Sequence, residues 1–186
     1  MEFASLDFET TGLDRERDAV VSFGVVPVRD GRIVVGESAH QLVLPDVPSS
    51  PESMRIHGIL PKDLAYALPF AVAGEALRRS LDGRFLLTWF ANVEIGFLGR
   101  LYGGRRRSWA RRTIDVRQMA IELEHLEQDV RQSLSSAAER YDVPVANPHQ
   151  ALDDAMVTAQ LFLVLASRLQ ARGFGSARSF LRLTRL

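Results

Sequence analysis

The 186-residue chain contains no cysteine. Disulfide bonds, thiolate catalysis, iron–sulfur clusters and cysteine-ligated zinc are therefore excluded. Any bound metal must use oxygen or imidazole ligands, and such ligands favour Mg²⁺ or Mn²⁺. A metal site in this chain must be sought among its acidic residues and its four histidines.

Long apolar runs and lysine are also scarce. No run approaches the roughly 18 residues that a membrane helix needs, and the first five residues lack a signal segment, so we expect a cytoplasmic protein without membrane association. Lys62 is the only lysine among 23 basic residues. Arginine binds phosphate bidentately, but this bias can equally reflect genome composition. The formal net charge of zero gives no sign of a basic nucleic-acid-binding coat.

The first half of the chain predicts antiparallel β structure. Alternating apolar residues predict a strand over 3–9, a second over 19–28, and a third that begins at Ile33. The dipeptide Asp30-Gly31 between the last two is a strong hairpin signal. The segment 45–51 is rich in proline and serine and predicts a loop.

The second half predicts alternating helices and strands in a single domain. The predicted elements are a helix over 71–81, a strand over 84–89, a helix over 93–101, a strand over 113–115, and helices over 116–123, 133–141 and 151–169. The last helix is apolar almost all round and should be buried. Length predicts about one domain, which we place at 1–172, with 173–186 as a tail or short helix.

Two acidic groups stand out. Asp7 and Glu9 are two residues apart on one strand, so their side chains project from the same face about 6–7 Å apart. They repel by about 2–3 kcal/mol at an effective dielectric constant of about 20, which a divalent cation between them would relieve. The alternative is an acidic strand end that faces water. The second group is His149 to Asp154, which begins the buried helix.

Residue types in this second group also suit any helix N-terminus, where acids are favoured by the helix dipole. An acid on the inner face of a buried helix, however, would be desolvated and would need a partner. A metal ion bound by Asp154 would supply that partner. Asp153 is the closest rival for this role, whereas Asp115 is expected to cap the following helix.

These residues resemble the motifs of the DEDD exonucleases of the histidine subtype, which include the proofreading subunit of bacterial replicative polymerase, ribonuclease T and oligoribonuclease. Residues 6–14 resemble the first motif, residues 149–159 the third, and Ile56-His57-Gly58-Ile59 the segment between them. The resemblance covers about residues 3–168 and selects Asp154 by its spacing from His149. It implies a ribonuclease H-like α/β fold: a mixed five-stranded sheet, its first three strands antiparallel, with helices on both faces.

The second motif departs from the family pattern of His-Asn-x-x-Phe-Asp. The aligned segment is Trp89-Phe90-Ala91-Asn92-Val93-Glu94, so Glu94 replaces the aspartate and its carboxylate lies one methylene further from the backbone. Trp89 and Phe90 replace a polar pair, either for core packing or for base stacking. The exchange at Glu94 keeps open an alternative, a nucleic-acid-binding or regulatory protein with weakened or lost catalysis.

The resemblance implies a 3′-to-5′ exonuclease that uses two Mg²⁺ or Mn²⁺ ions on a nucleic acid with a free 3′ end, single-stranded DNA more than RNA. The implied metal ligands are Asp7, Glu9, Glu94 and Asp154, and His149 is the implied general base. The implied substrate contacts are Thr10, Thr11, Gly12, Leu13 and His57. The sequence carries no separate signal for a polymerase partner or for an oligomeric state.

A dense basic stretch follows the second motif. It contains Arg105, Arg106, Arg107, Arg111 and Arg112. It is either a solvated loop or a track that guides phosphates toward the site with strongly salt-dependent binding.

Overall fold

The computed structural model describes residues 1–103, 106–125 and 132–184. Its strands are β1 Glu2–Thr10, β2 Val20–Arg29, β3 Arg32–Ile33, β4 Ala39–Leu44, β5 Leu68–Pro69, β6 Phe85–Thr88 and β7 Thr113–Asp115. Its helices are α1 Pro51–His57, α2 Phe70–Leu81, α3 Ala91–Tyr102, α4 Arg106–Ala110, α5 Val116–Glu124, α6 Leu134–Arg140, α7 Ala151–Gln170 and α8 Ala177–Leu183.

The strands form one mixed sheet in the order β5-β4-β2-β1-β6-β7, with β3 paired to β2. β2 runs antiparallel to β1, β3 and β4. The pairs β1–β6, β6–β7 and β4–β5 are parallel. The expected mixed sheet with three antiparallel strands is therefore confirmed. The two-residue strands β3 and β5 are additions to it.

Helices cover both faces of the sheet because β1 alternates its side chains between two apolar clusters. Leu6 and Phe8 pack with α2 and α3, whereas Phe3 packs with residues of α5 and α7. Successive side chains of a strand point to opposite faces. Asp7 and Glu9 therefore lie on the face of the sheet that α7 covers.

The predicted third strand is wrong in its position. Only Arg32 and Ile33 pair with β2, and the chain then forms a 3₁₀ turn before β4 begins at Ala39. Glu37 stabilises the turn, because its carboxylate accepts hydrogen bonds of 3.0 and 3.1 Å from the Arg29 guanidinium. The predicted hairpin turn at Asp30-Gly31 is confirmed, with the positive φ angles of 51° and 74° typical of such turns.

The segment predicted as a loop contains a helix at its end. α1 begins at Pro51, and the Ser50 side chain caps it by accepting a 3.1 Å hydrogen bond from the Ser53 amide. Serine before a first-turn proline is a favourable helix start, and Gly58 ends the helix in the left-handed conformation at φ 71°. The sequence contains these helix-start and helix-end signals, but the proline content of the segment 45–51 favoured the prediction of a loop.

The remaining predicted helices and strands are present with shifts of a few residues at their ends. Within the C-terminal segment, α8 packs Phe180 against the ring of Phe162, with centroids 5.8 Å apart. The separation of this segment from the domain over 1–172 stays a prediction. Within the described ranges, no helix has both the length and the apolar character needed to cross a membrane.

Candidate functional site

Three of the predicted acidic residues converge where β1 meets the start of α7. The carboxylate groups of Asp7, Glu9 and Asp154 each offer an oxygen, and these oxygens lie within 4.8 Å of one another. The first two project from one face of β1, and the third lies in the first turn of α7. Oxygens at this separation can bind one divalent cation.

Gly24 allows α7 to approach the sheet this closely. It pairs with Asp7 across the β1–β2 ladder and faces the first residues of the helix. A Cβ atom at this position would lie 2.2 Å from the carbonyl oxygen of Ala151 and 2.4 Å from the Cα of Leu152. Sequence analysis missed this residue, although a lone glycine in an apolar strand is a signal of close backbone approach.

The pKa of each of the three carboxyl groups is raised above its ordinary value. Burial raises the pKa of Asp7 well above its usual value, and the charges of Glu94, Glu9 and Asp154 raise it further. Burial and the charge of Asp154 raise the pKa of Glu9 to about 8. Burial also raises the pKa of Asp154, although the His149 backbone partly offsets this.

No arginine or lysine within the described ranges forms an ion pair with any of these three carboxylates. As anions they therefore repel one another, and the charge of His149 offsets this only in part, at Asp154. The donor set consists of carboxylate oxygens, which are the ligands that Mg²⁺ and Mn²⁺ prefer. The residues present thus fit a divalent cation.

Glu94 lies beside this cluster but outside it. It is in the first turn of α3 and only 4% exposed, and its Oε2 atom is buried without a hydrogen-bond partner among the described residues. Burial, with the charge of Asp115, raises the pKa of Glu94 to about 8. Among neighbouring charges, that of Glu94 has the largest effect on the pKa of Asp7. An unsatisfied buried carboxylate oxygen is costly and suits a bound cation.

Asp115 fixes the helix that carries Glu94. Its Oδ1 accepts a 3.0 Å hydrogen bond from the Gln118 amide and caps α5, as expected. Its Oδ2 accepts a 3.1 Å hydrogen bond from the amide of Ala91, the first residue of α3. One side chain therefore ties the starts of two helices together, a link that the sequence did not predict.

His149 is an exposed residue two positions before the start of α7. Its backbone amide donates a 3.1 Å hydrogen bond to Oδ2 of Asp154. The residue adopts a left-handed conformation with φ 62°, which is uncommon outside glycine. This conformation and the hydrogen bond place the residue beside the acidic cluster.

The turn after β1 is stiffened by its own hydroxyl groups. Thr10 Oγ1 donates a 2.6 Å hydrogen bond to the carbonyl of Gly12, and Thr11 Oγ1 donates one of 2.9 Å to Asp18 Oδ1. Any side chain at Gly12 would meet the Asp18 carboxylate, since a Cβ would lie 2.4 Å from Oδ2. Leu13 is left 82% exposed at the tip of the turn. The substrate contacts assigned to this turn stay predictions.

His57 ends α1 and is buried near the end of β1. Its Nδ1 accepts a 3.0 Å hydrogen bond from the Ile59 amide, and its Nε2 is buried without a hydrogen-bond partner in the described part of the chain. Burial lowers the pKa of His57, and the Thr10 backbone partly offsets this. A substrate contact at His57 stays a prediction.

The arginines of the basic stretch differ in their exposure and contacts. Arg105 lies outside the described residues, whereas Arg107 and Arg111 are exposed. Arg112 instead stacks over the ring of Trp109 at 4.4 Å and donates a 3.2 Å hydrogen bond to the Leu81 carbonyl. The two aromatic residues of the second motif also differ: Trp89 is 4% exposed and belongs to the core, whereas Phe90 is 46% exposed.

A family model described as Exonuclease, RNase_T, matches residues 5–162. The chain belongs to this exonuclease family. The chain is 32% identical over 173 residues to a DNA polymerase III PolC-type protein of Thermotoga petrophila, covering 92% of this chain and 12% of that protein. It is 26% identical over 170 residues to the DNA polymerase III subunit epsilon of Haemophilus influenzae, covering 86% of this chain and 65% of that protein.

Solved exonuclease structures share the fold. Exonuclease X in complex with 5′ overhanging duplex DNA matches with a TM-score of 0.74 and 23% identity, covering 98% of this chain and 99% of that chain. Exonuclease I of E. coli in complex with a dT13 oligonucleotide matches with a TM-score of 0.78 and 16% identity, covering 93% and 42%. The expected family and fold are confirmed. The chain spans only 12% of the length of its PolC-type relatives.

Proposed function

We propose that this chain is a divalent-cation-dependent 3′-to-5′ exonuclease that acts on single-stranded nucleic acid, DNA more than RNA. The observation that carries the proposal is the cluster of Asp7, Glu9 and Asp154, whose oxygens lie within 4.8 Å of one another. The preference for DNA is supported by relatives named DNA polymerase III and by neighbouring structures that contain DNA.

The proposal assigns two positions for Mg²⁺ or Mn²⁺. Asp7, Glu9 and Asp154 would hold one cation, and Asp7 with Glu94 would hold the second, which accounts for the buried Oε2 of Glu94. When bound, such cations stabilise the negative charge that develops on a phosphodiester during in-line displacement. The carboxylates position them and are otherwise unchanged by the reaction.

His149 is the proposed general base. Its backbone amide is held beside Asp154 by the 3.1 Å hydrogen bond, and the residue is exposed. In the proposed step the imidazole takes a proton from a water molecule, and the water oxygen bonds to the phosphorus. The bond from phosphorus to the 3′ oxygen of the preceding nucleotide breaks, and this oxygen takes a proton from solvent. The products are a nucleoside 5′-monophosphate and a strand shortened by one nucleotide with a new 3′ hydroxyl.

The turn over residues 10–13 is the proposed seat of the terminal nucleotide. Its hydroxyls bond within the turn, so its backbone shape is set before substrate binds. Leu13 projects into solvent and would contact a base, and His57, buried near the base of the turn, would line the same cleft. Prior rigidity of this kind lowers the entropy lost on binding.

The direction and the cation requirement are tested with a 5′-labelled single-stranded oligonucleotide. With Mg²⁺ or Mn²⁺, the proposal expects a ladder of labelled products that shorten one nucleotide at a time, and no ladder in EDTA or with Asp7→Asn. Parallel DNA, RNA and duplex substrates rank the preference. Release of the label as a mononucleotide would show attack from the 5′ end and contradict the proposal.

A second candidate is a nucleic-acid-binding protein with little or no catalysis. It is favoured by the position of Glu94, which replaces the aspartate of the family motif and lies outside the cluster of three carboxylates. This candidate expects oligonucleotide binding without product under either cation. Glu94→Asp separates the two: a large gain of activity supports the second candidate, and unchanged or lower activity supports a working glutamate.

A further inference from the structure

A cavity of about 490 Å³ lies between the turn after β1 and the exposed side of α3. The turn contributes Leu13, Arg15 and Glu16, and the helix contributes Gly96, Gly99 and Arg100. Leu13 also belongs to the proposed seat of the terminal nucleotide, and Ile95 in the cavity wall directly follows Glu94. The cavity therefore adjoins the acidic site without sharing its carboxylates.

Two guanidinium groups frame this cavity. The stem of Arg15 lies on Gly96, where a Cβ atom would be only 2.0 Å from the Arg15 Cδ. Arg15 Nη1 donates a 3.2 Å hydrogen bond to the Asn92 carbonyl, and Arg100 Nη1 donates one of 3.2 Å to the Arg15 carbonyl. Neither arginine forms an ion pair with a carboxylate of the described residues. Each guanidinium has five N–H donors, so most are available to a ligand.

Gly99 keeps the cavity open. No atom lies within 4 Å of the position that its Cβ would occupy. Glycine inside a helix is less favourable than alanine, and the helical backbone at this position has no need of it. A side chain here would extend into the cavity, so the residue provides a way to fill the cavity without removing a charge.

Acidic residues also line the cavity, so its positive charge comes from the placement of the guanidinium groups and not from an excess of them. Asp14 accepts a 3.0 Å hydrogen bond from the Glu16 amide and lies 3.7 Å from Nε of Arg17. Glu16 is exposed at the rim of the cavity. Asp18 adds a third carboxylate, which accepts a 2.8 Å hydrogen bond from the Asp14 amide. Because Arg17 is paired with Asp14, the guanidinium groups of the cavity lining that remain without an ion pair among the described residues are those of Arg15 and Arg100.

We propose that this cavity, the Arg15–Arg100 cleft, binds the backbone phosphate of the single strand that lies one nucleotide beyond the terminal phosphodiester. The inference rests on the proposed function, since it extends the strand path from the seat at Leu13. Arginine forks match phosphate oxygens in a bidentate geometry that exposed lysines do not offer. The cleft would hold the strand while the terminal phosphodiester lies at the acidic site.

The test measures the binding of 5′-fluorescein oligothymidylates of two and twelve nucleotides by anisotropy, in EDTA and in Ca²⁺. Arg100→Gln removes a phosphate donor, and Gly99→Leu fills the cavity. Arg178→Gln is the matched control, because Arg178 is exposed on α8 and has no ion pair within the described ranges. Thermal melting of each variant checks that it is folded.

We expect Arg100→Gln and Gly99→Leu each to weaken binding of the twelve-mer by about tenfold, the loss of one charge-assisted contact. Binding of the dinucleotide should change less than about twofold, since the contact lies beyond it. The slope of log Kd against log salt should fall by about 0.7 in both variants, the value for one phosphate contact on a single strand. Glu16→Gln should tighten binding, and Arg178→Gln should match the wild type.

The outcomes separate this inference from the proposed function. If the wild type degrades and binds oligonucleotides but both cleft variants match Arg178→Gln, the cleft does not bind the strand. If Arg100→Gln weakens binding and Gly99→Leu does not, the arginine acts through its long-range charge, and the inference is again overturned. A wild type that neither binds nor degrades would refute the proposed function itself.

Discussion

Replacing Gly24 by alanine should separate the two halves of the acidic cluster. The added Cβ would lie 2.2 Å from the Ala151 carbonyl oxygen, at the first residue of α7. Carbon and oxygen atoms that are not bonded seldom approach closer than about 3.2 Å, so either β2 or the start of α7 must move by roughly 1 Å. Asp7 lies opposite the altered residue and Asp154 lies on the displaced turn.

The displacement has two separable costs. Overpacking of this kind typically destabilises a protein by about 1–3 kcal/mol. Mg²⁺ requires nearly ideal geometry at about 2.1 Å, so a 1 Å change in the oxygen positions should weaken cation binding beyond the loss of stability. Misplacement of catalytic groups by about 1 Å can also lower turnover by about 100-fold.

The assay compares melting temperatures with and without 10 mM Mg²⁺, together with nuclease activity. Gly24→Ala should melt lower and should lose most of the stabilisation that Mg²⁺ gives the wild type. Gly36→Ala is the control, because no atom lies within 4 Å of its Cβ position on the surface turn. A Gly24→Ala protein with full Mg²⁺ stabilisation and full activity would refute the reasoning.

Two further predictions concern the histidine and the protonation of the site. His149→Ala should bind a single-stranded oligonucleotide as the wild type does but lose at least about 100-fold in turnover, and full activity in single-turnover assays would remove the histidine from the mechanism. Because the pKa of Glu9 rises from 4.5 to about 8 on folding, the folded protein holds a proton that the unfolded chain releases. Stability without cations should therefore fall as the pH rises from about 4.5 through 8, and the fall should be smaller in Asp7→Asn. Divalent cations should stabilise most at pH 8, by about 2.7 kcal/mol at 100 times the Kd, and equal stabilisation at pH 5 would contradict this assignment.

Local patterns marked the acidic motifs as candidates. Asp7 and Glu9 share a face because a strand alternates its side chains, and an acid in the first turn of a buried helix points to Asp153 or Asp154. The choice of Asp154 came from the family resemblance, through its spacing from His149. The predicted helix over 133–141 is present as α6, and Ser133 caps it by accepting a 3.1 Å hydrogen bond from the Ser136 amide. Each of these inferences depends on residues close together in the chain.

Errors arose where distant residues decide the structure. The apolar run at Ile33 predicts a strand, but the chain leaves the sheet after Ile33 and forms a 3₁₀ turn. The Glu37 carboxylate in this turn accepts hydrogen bonds from Arg29 and from Arg84, and Arg84 is 47 residues further along the chain. The role of Gly24 depends on which helix crosses it, and no local pattern specifies that. Asp115 was predicted as a cap, but its second bond to the start of α3 links residues 24 positions apart.

The central claim is that Asp7, Glu9 and Asp154 together bind a divalent cation. The most direct measurement is an anomalous difference map from a crystal soaked in Mn²⁺. The account predicts a peak bounded by oxygens of all three carboxylates at about 2.1 Å. A saturating soak that leaves these oxygens without a peak, while Mn²⁺ binds elsewhere, would contradict it.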